Sequence, residues 1–368
     1  LAESITAVRD VPGFDRAAMD GYAVRGEETF GSEPAAPLRF RVVGEARPGR
    51  AFEGEVRSGE AVDVTTGAPL PRGADAVVPV EQVRSIGCEI EVTEGVSPGR
   101  HVSSCGEDVR AGETVFRASR RLRPQDLGIA SVLGLSELPV VREPRVAIVV
   151  TGDELLEPGR EPEGYRFADM NSVMLAPLVL RDGGVVGCVL GPMPDDEERL
   201  RGVLMEAASA HDVVLITGGS SAGREDHVPG LVRELGELAV HGVALRPASP
   251  TGLGRIGGAL VCLLPGNPVS CLCAYDFFAG RGIRRLAGRG VCWPYRWGEG
   301  VLGEKLASMV GRVDYARVRL EGGRVWPLAI SGASILSTTT RADGFVVIGE
   351  GSEGEAAGAV VRVWHYDE

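Results

Sequence analysis

The residues best suited to chemistry lie between Asp212 and His227, where the chain reads DVVLITGGSSAGREDH. An apolar run ends in Gly218, Gly219, Ser220 and Ser221, and charged residues including Asp226 follow. Glycine-rich loops of this kind leave peptide N–H groups aimed at one point, a seat for phosphate-like oxygens. Pro229 predicts the first position of the next helix, which leaves Asp226 in the loop to face a ligand or a bound cation. A turn that only needs glycine would look the same. Two further stretches break the tie. RVAIVV (145–150) runs into Thr151, Gly152, Asp153 and Glu154, and ALVCLL (259–264) runs into Pro265, Gly266, Asn267, Pro268, Val269 and Ser270. In the second, Asn267 reads as a helix N-cap and Pro268 as the first helical residue. That places the Ser270 hydroxyl at a positive helix end suited to a tetrahedral oxyanion.

Positioning these loops requires a sheet. The three runs have the length and β-branched content of buried parallel strands, and ligands of open α/β sheets bind outside the strands' carboxyl ends, so the three loops should share one crevice. Between them, NSVMLAPLVLRDGG (171–184) and DDEERLRGVLMEAASA (195–210) read as helices and VVGCVLG as a strand, giving a mostly parallel α/β domain over 144–293. Asp195 with Glu198 fits a capping box, a structural alternative to a functional acidic pair at Asp195 and Asp196. Short alternating runs separated by Pro and Gly predict an all-β domain over 21–105. Asp20 and Gly21 fit a hairpin turn, and RPQDLGIASVLG fits a short helix opened by Pro124. The tail 294–368 returns to β pattern, with alternating runs around Gly322 and Gly323, and predicts a small barrel or sandwich. An arginine on such a strand, as Arg312 or Arg317, ordinarily marks its solvated face.

Composition narrows the function classes. A net charge of -12 argues against non-specific nucleic-acid binding, which relies on a basic face. No segment approaches the run of about 18 apolar residues that spans a bilayer, so a soluble protein is expected. Seven scattered cysteines, without a Cys-x-x-Cys pair, fit a cytoplasmic chain, and Cys271 and Cys273 read as buried small apolar residues rather than zinc ligands. GLGRIG (252–257) satisfies the dinucleotide fingerprint but precedes its strand, so a glycine-rich hairpin is expected instead.

Taken together, DVPGFDRAAMDGYAV, TTGAPLP, GED, TGDEL, TGGSSAGRED, PGNPVS and GRVDYARV resemble the molybdopterin molybdenumtransferase family, the bacterial counterpart of the gephyrin E domain. The family's helical segment before LAES is missing, so a trimmed start is expected. The resemblance implies four domains: a discontinuous linker domain (1–20 and 106–143), the β domain, the α/β domain and a C-terminal β barrel. It implies a homodimer with its active site built across the subunits. It also implies a reaction in which adenylylated molybdopterin and molybdate are substrates, AMP leaves, magnesium assists, and molybdenum ends on the dithiolene sulfurs. A molybdopterin adenylyltransferase would be the upstream partner; neither nucleic acid nor membrane is implied. The motifs carry over functional positions to Asp20, Thr66, Asp108, Glu154, one of Asp195 and Asp196, Asp226, Ser270, Arg312 or Arg317, and Ser334. In that assignment Asp226 and Glu154 hold magnesium or position water, while Ser270, an arginine and Ser334 seat molybdate.

One segment departs from the pattern. After VHGVAL, which reads as a strand, the family shows K-P-G-K-P, and this chain has Arg246, Pro247, Ala248, Ser249 and Pro250. Arg246 keeps a charge on a bulkier planar fork, whereas Ser249 removes a cation at an anion-binding position. Losing a charge-assisted hydrogen bond costs roughly 1.5 to 3 kcal/mol, enough to weaken oxyanion binding about tenfold to a hundredfold. Three readings compete: the transferase, a catalytically impaired molybdopterin-binding paralogue acting as carrier or scaffold, and a nucleotidyltransferase resembling the adenylylating partner. The extra β domains count against the last.

Overall fold

The computed structural model describes residues 1–219 and 227–366. The chain forms two compact units, Leu1–Val140 and Val141–Glu368.

In the first unit, six strands form one sheet: β1 (Gly21–Val24), β2 (Leu38–Ala46), β3 (Glu60–Val64), β4 (Ala76–Pro79), β5 (Val83–Ile86) and β6 (Glu89–Val92), in the order β4-β1-β3-β2-β6-β5. Its two faces bury separate small-residue and β-branched clusters, one around Ala23, Val62 and Val77, the other around Val24, Phe40 and Ile90. Gly21 opens β1 instead of forming a hairpin turn with Asp20, because a Cβ there would stand 2.0 Å from the Val78 carbonyl oxygen. The chain's start is tied to a distant segment: Ile5–Thr6 pairs with Thr114–Phe116, and Ala2 N–H donates to the Pro139 carbonyl. Helix α1 (Pro124–Val132) begins at its proline, as the sequence predicts.

The second unit opens with β7 (Arg145–Thr151), α2 (Asn171–Asp182), β8 (Val185–Met193), α3 (Glu197–Ala210), β9 (Val213–Thr217), α4 (Val228–Leu235) and β10 (Glu237–His241). It continues with β11 (Leu245–Arg246), β12 (Gly252–Ile256), β13 (Ala259–Leu264) and α5 (Pro268–Ala274). A π turn over Tyr275–Ala279 leads into α6 (Gly280–Leu286). The sheet order is β8-β7-β9-β13-β12-β10, parallel from β8 to β13 and antiparallel across β12 and β10. The three predicted strands β7, β9 and β13 are adjacent at its centre and fully buried apart from Arg145 and Leu260, with helices and an apolar cluster on each face. GLGRIG is the β12 arm of a hairpin that turns at Gly257 and Gly258, so it cradles no dinucleotide.

Two boundaries differ from expectation. VHGVAL is not one strand: β10 ends at His241 in the α/β sheet, and β11 resumes at Leu245 in another sheet. Helix α4 begins at Val228, one residue before Pro229.

The remaining strands β14 (Trp297–Leu302), β15 (Val313–Glu321), β16 (Arg324–Ala329), β17 (Gly344–Ile348) and β18 (Val360–His365) pair as β15-β16-β14-β18-β17, and a β15–β17 pairing closes the ring. The result is a closed five-stranded barrel, with β11 added alongside β15. Closure removes the exposed sheet edges that an open five-stranded sheet would carry. Among the described residues no helix is long and apolar enough to cross a membrane.

Candidate active site

The carboxyl ends of β7, β9 and β13 open onto a cleft of about 460 Å³. Its wall is drawn from the ends of the three strands and their loops: Thr151, Gly152, Glu154 and Leu155 from β7 onward, Thr217, Gly218 and Gly219 from β9 onward, and Pro265 to Pro268 after β13. Phe167, Asp169, Met170 and Asn171 at the start of α2, Asp195 before α3, Pro250, and Ser334 from the barrel complete it. Gly218 is required by contact: its φ is +99°, and a Cβ would lie 1.9 Å from the Thr151 carbonyl oxygen, so only glycine lets the β9 loop pass the end of β7.

The acidic pair before α3 divides its work. Asp196 is the N-cap of α3, accepting from Arg199 N–H at 2.8 Å, in place of the expected Asp195–Glu198 box. Asp195 turns into the cleft, where its Oδ1 accepts from the Thr151 hydroxyl. Glu154, also on the wall, is exposed. Asp169 is 4% exposed and its carboxylate is committed: it accepts from the N–H of Asn171 at 2.9 Å and of Ser172 at 3.3 Å, and from the Ser172 hydroxyl. It therefore caps α2, a site that favours negative charge.

Several expected contributors to an oxyanion seat are elsewhere. Helix α5 starts at Asn267 and Pro268 as read, yet the Asn267 side chain makes no capping bond. The Val269 N–H is spent on the Ala333 carbonyl at 2.9 Å, and Ser270 is buried and does not line the cleft. The barrel loop that carries Ala333 also delivers Ser334, which does line it. Arg317 is not on a solvated face: it is completely buried and donates to the Ser331 and Tyr315 carbonyls and to Thr338 Oγ1. Burial, with no carboxylate partner among the described residues, pulls its pKa below the ordinary arginine value. Arg312 and Arg246 both face the fully buried Asp314, Arg312 Nε at 3.5 Å and Arg246 through Nε at 2.8 Å and Nη2. The charge that Arg246 retains from the family pattern is thus neutralised inside the α/β–barrel junction. Ser249 is exposed and off the wall, which Pro250 reaches instead. Ala248, where the family has glycine, sits at φ +110°.

The described wall accordingly holds three carboxylates, Glu154, Asp169 and Asp195, and no Lys or Arg side chain. Ser220, Ser221 and Asp226 lie outside the described residues. In the first unit, Asp20 and Thr66 are brought together, one carboxylate oxygen accepting from Thr66 N–H at 2.7 Å and its hydroxyl at 2.8 Å. These bonds, the backbone one foremost, hold the Asp20 carboxyl below its ordinary pKa although it is exposed. Asp108 is exposed in a separate turn bonded to Val11. Asp169 escaped the sequence reading, which named Thr151 only as a loop residue and Asn171 only as a helix start; the signal for Asp169 was an Asp two residues before an Asn at that start.

A crevice at the carboxyl ends of a mostly parallel sheet, lined by a glycine turn and carboxylates and reached by Ser334 from the β barrel, defines a class of α/β protein that binds a ligand beyond its strand ends. Residues 1–134 match the MoeA N-terminal region (domain I and II), 147–284 a probable molybdopterin binding domain, and 299–366 the MoeA C-terminal region (domain IV). The chain is 34% identical over 371 residues to a putative molybdopterin biosynthesis protein of Methanocaldococcus jannaschii, covering 99% of this chain and 88% of the relative. It is 34% identical over 373 residues to molybdopterin molybdenumtransferase 2 of Mycobacterium tuberculosis, covering 99% and 91%. A crystal structure of a molybdopterin biosynthesis MoeA protein from Pyrococcus horikoshii superposes with a TM-score of 0.87 at 34% identity, over 100% of this chain and 91% of that one. The chain belongs to the MoeA family, the molybdopterin molybdenumtransferases of molybdenum cofactor biosynthesis.

Proposed function

We propose that this chain takes adenylylated molybdopterin and molybdate as substrates, releases AMP, and leaves molybdenum on the dithiolene sulfurs. The observation that carries the reading is the three-loop cleft, whose wall offers carboxylates without a cationic side chain among the described residues. A phosphoanhydride cannot be seated there by charge unless a cation accompanies it, which fits magnesium. The carboxylates form no ready cage of three ligands among the described residues. Mg²⁺ does not need one, because it is commonly held by one or two carboxylates together with substrate phosphates and water. Glu154 and Asp195 would hold it, with the Thr151 hydroxyl orienting Asp195. Bound magnesium would supply the charge that offsets the phosphate oxygens and the leaving AMP. The Gly218–Gly219 turn lets the ligand approach the backbone, and Ser334 adds a hydroxyl from the barrel side. Asp226 remains the expected acid of the β9 loop, holding magnesium or positioning water together with Glu154.

The division into 1–20 with 106–143, 21–105, 144–293 and 294–368 is part of this reading. So is a homodimer with its active site shared across subunits. Met170, Val173 and Leu180 leave an apolar stripe exposed on α2, a face suited to a second copy. Seven free cysteines support a reducing, cytoplasmic setting. The substrate's chemistry requires an upstream molybdopterin adenylyltransferase.

The absence of a cation at Ser249 favours a second reading, a molybdopterin carrier or scaffold with impaired insertion. AMP release from adenylylated molybdopterin, with and without magnesium and molybdate, tests the first. The transferase predicts molybdate-dependent release abolished by chelation; tight binding without release, restored by Ser249→Lys, would establish the second.

A further inference from the structure

Asn171 is 6% exposed, lies on the cleft wall, and has an incomplete set of hydrogen bonds. Its Nδ2 donates to Thr217 Oγ1 at 2.7 Å and to the Gly266 carbonyl at 2.8 Å. A carbonyl can only accept, so the amide orientation is fixed and both Nδ2 protons are used. Oδ1 is buried without a hydrogen-bond partner among the described residues. An unmatched acceptor of this kind is costly, and in a binding cleft it is suited to a donor on the ligand.

The surroundings select the donor. Phosphate and molybdate oxygens are acceptors and gain nothing from Oδ1, and the adjacent Asp169 carboxylate disfavours them further. Leu155 and Phe167 are register partners in a short parallel pair, and both line the cleft. Together with Met170 they give this part of the wall an apolar lip suited to a flat ring. A pterin supplies both features. Its 2-amino group and N3–H form a donor edge on the side of the ring system away from the phosphate-bearing substituent.

We propose that Asn171 is a specificity-determining residue whose Oδ1 accepts a hydrogen bond from the 2-amino edge of the pterin. The ring then enters amino edge first, leaving its phosphate-bearing side toward the open cleft. Because Nδ2 ties the ends of β9 and the β13 loop together, the same side chain links ring orientation to the positions of two loops. This inference rests on the pterin-handling function proposed above.

Equilibrium dialysis of the full chain with pterin-6-carboxylate and with its 2-oxo analogue, lumazine-6-carboxylate, tests it. The wild type should bind the pterin at least about tenfold more tightly, and Asn171→Ala should bind the two alike. For AMP release, Asn171→Ala should raise KM with kcat changed much less, since the contact is made equally in ground and transition states. A thermal melt of the variant monitors folding, and the wild-type ratio needs no variant at all. Equal binding of the two probes by the wild type, with AMP release intact, would overturn the assignment and leave Oδ1 to a water molecule. An equal loss of both probes in Asn171→Ala would overturn it in favour of a purely structural tie. Failure of both probes to bind, without AMP release, would remove the pterin reading and this inference with it.

Discussion

Replacing Arg246 by methionine should destabilise the second unit while sparing the cleft, the reverse of what an anion-binding cation at this position would do. Asp314 is fully buried and accepts from Arg246 Nε at 2.8 Å, from Arg246 Nη2, and from Ser308 Oγ at 2.6 Å. Breaking a buried ion pair by removing one partner costs about 3–5 kcal/mol. Two features reduce that here: the Arg246 side chain is 29% exposed, and Arg312 stays 3.5 Å from Asp314. We therefore expect a loss of about 2–3 kcal/mol for Arg246→Met. Arg246→Lys, which keeps charge without the fork, should lose about half as much. The double substitution Arg246→Met with Asp314→Leu should recover at least 1 kcal/mol relative to the sum of the singles, since it also removes the buried carboxylate that Arg246→Met strands and leaves only the partly exposed Arg312 without its counter-charge. Urea unfolding of the four proteins, followed by tryptophan fluorescence, measures the cycle. AMP release assayed well below the transition should stay within about threefold for Arg246→Lys. Additive losses, or an Arg246→Met variant as stable as the parent but inactive, would refute the argument and return Arg246 to the anion site.

Other consequences are as direct. Asp195→Asn keeps an acceptor for the Thr151 hydroxyl but removes the charge, so kcat/KM for AMP release should fall about a hundredfold and the magnesium requirement should rise. Asp196→Asn, which retains a helix cap, should change neither activity nor stability by more than a few tenths of a kcal/mol, roughly. Ala248→Gly relieves a side chain held at φ +110° and should stabilise by about 1 kcal/mol, read as a melting temperature roughly 2–4 °C higher. At pH 8 a thiol reagent should modify Cys88, Cys105 and Cys292 first, because these are exposed. Burial pushes the Cys262 and Cys271 thiols up to about 12 and Cys273 well above its ordinary value, so these three should react only on unfolding.

How far the sequence reaches depends on the residue. RVAIVV, DVVLIT and ALVCLL could be read as buried strands, and the rule that ligands lie beyond strand carboxyl ends was enough to bring their loops together. Their adjacency came from pairing registers that no local pattern encodes. Ser270 shows the next limit: the helix start was legible from Asn267 and Pro268, but the carbonyl that takes its first amide belongs to Ala333, more than sixty residues on in a loop of the barrel. Arg317 follows strict alternation, and alternation cannot say which face a closed barrel turns inward. VHGVAL was apolar enough for one strand, yet the chain changes sheets between His241 and Leu245. Asn171 was hidden because an Asn at a helix start reads as a cap, a role that Asp169 fills from two residues earlier.

The most direct test of the central claim is the molybdenum content of the pterin product after a single turnover of the wild-type chain with adenylylated molybdopterin, magnesium and molybdate. The transferase account predicts one molybdenum per pterin, formed together with one AMP. AMP release that leaves the pterin without molybdenum, or pterin retained with its adenylyl group intact, would contradict it.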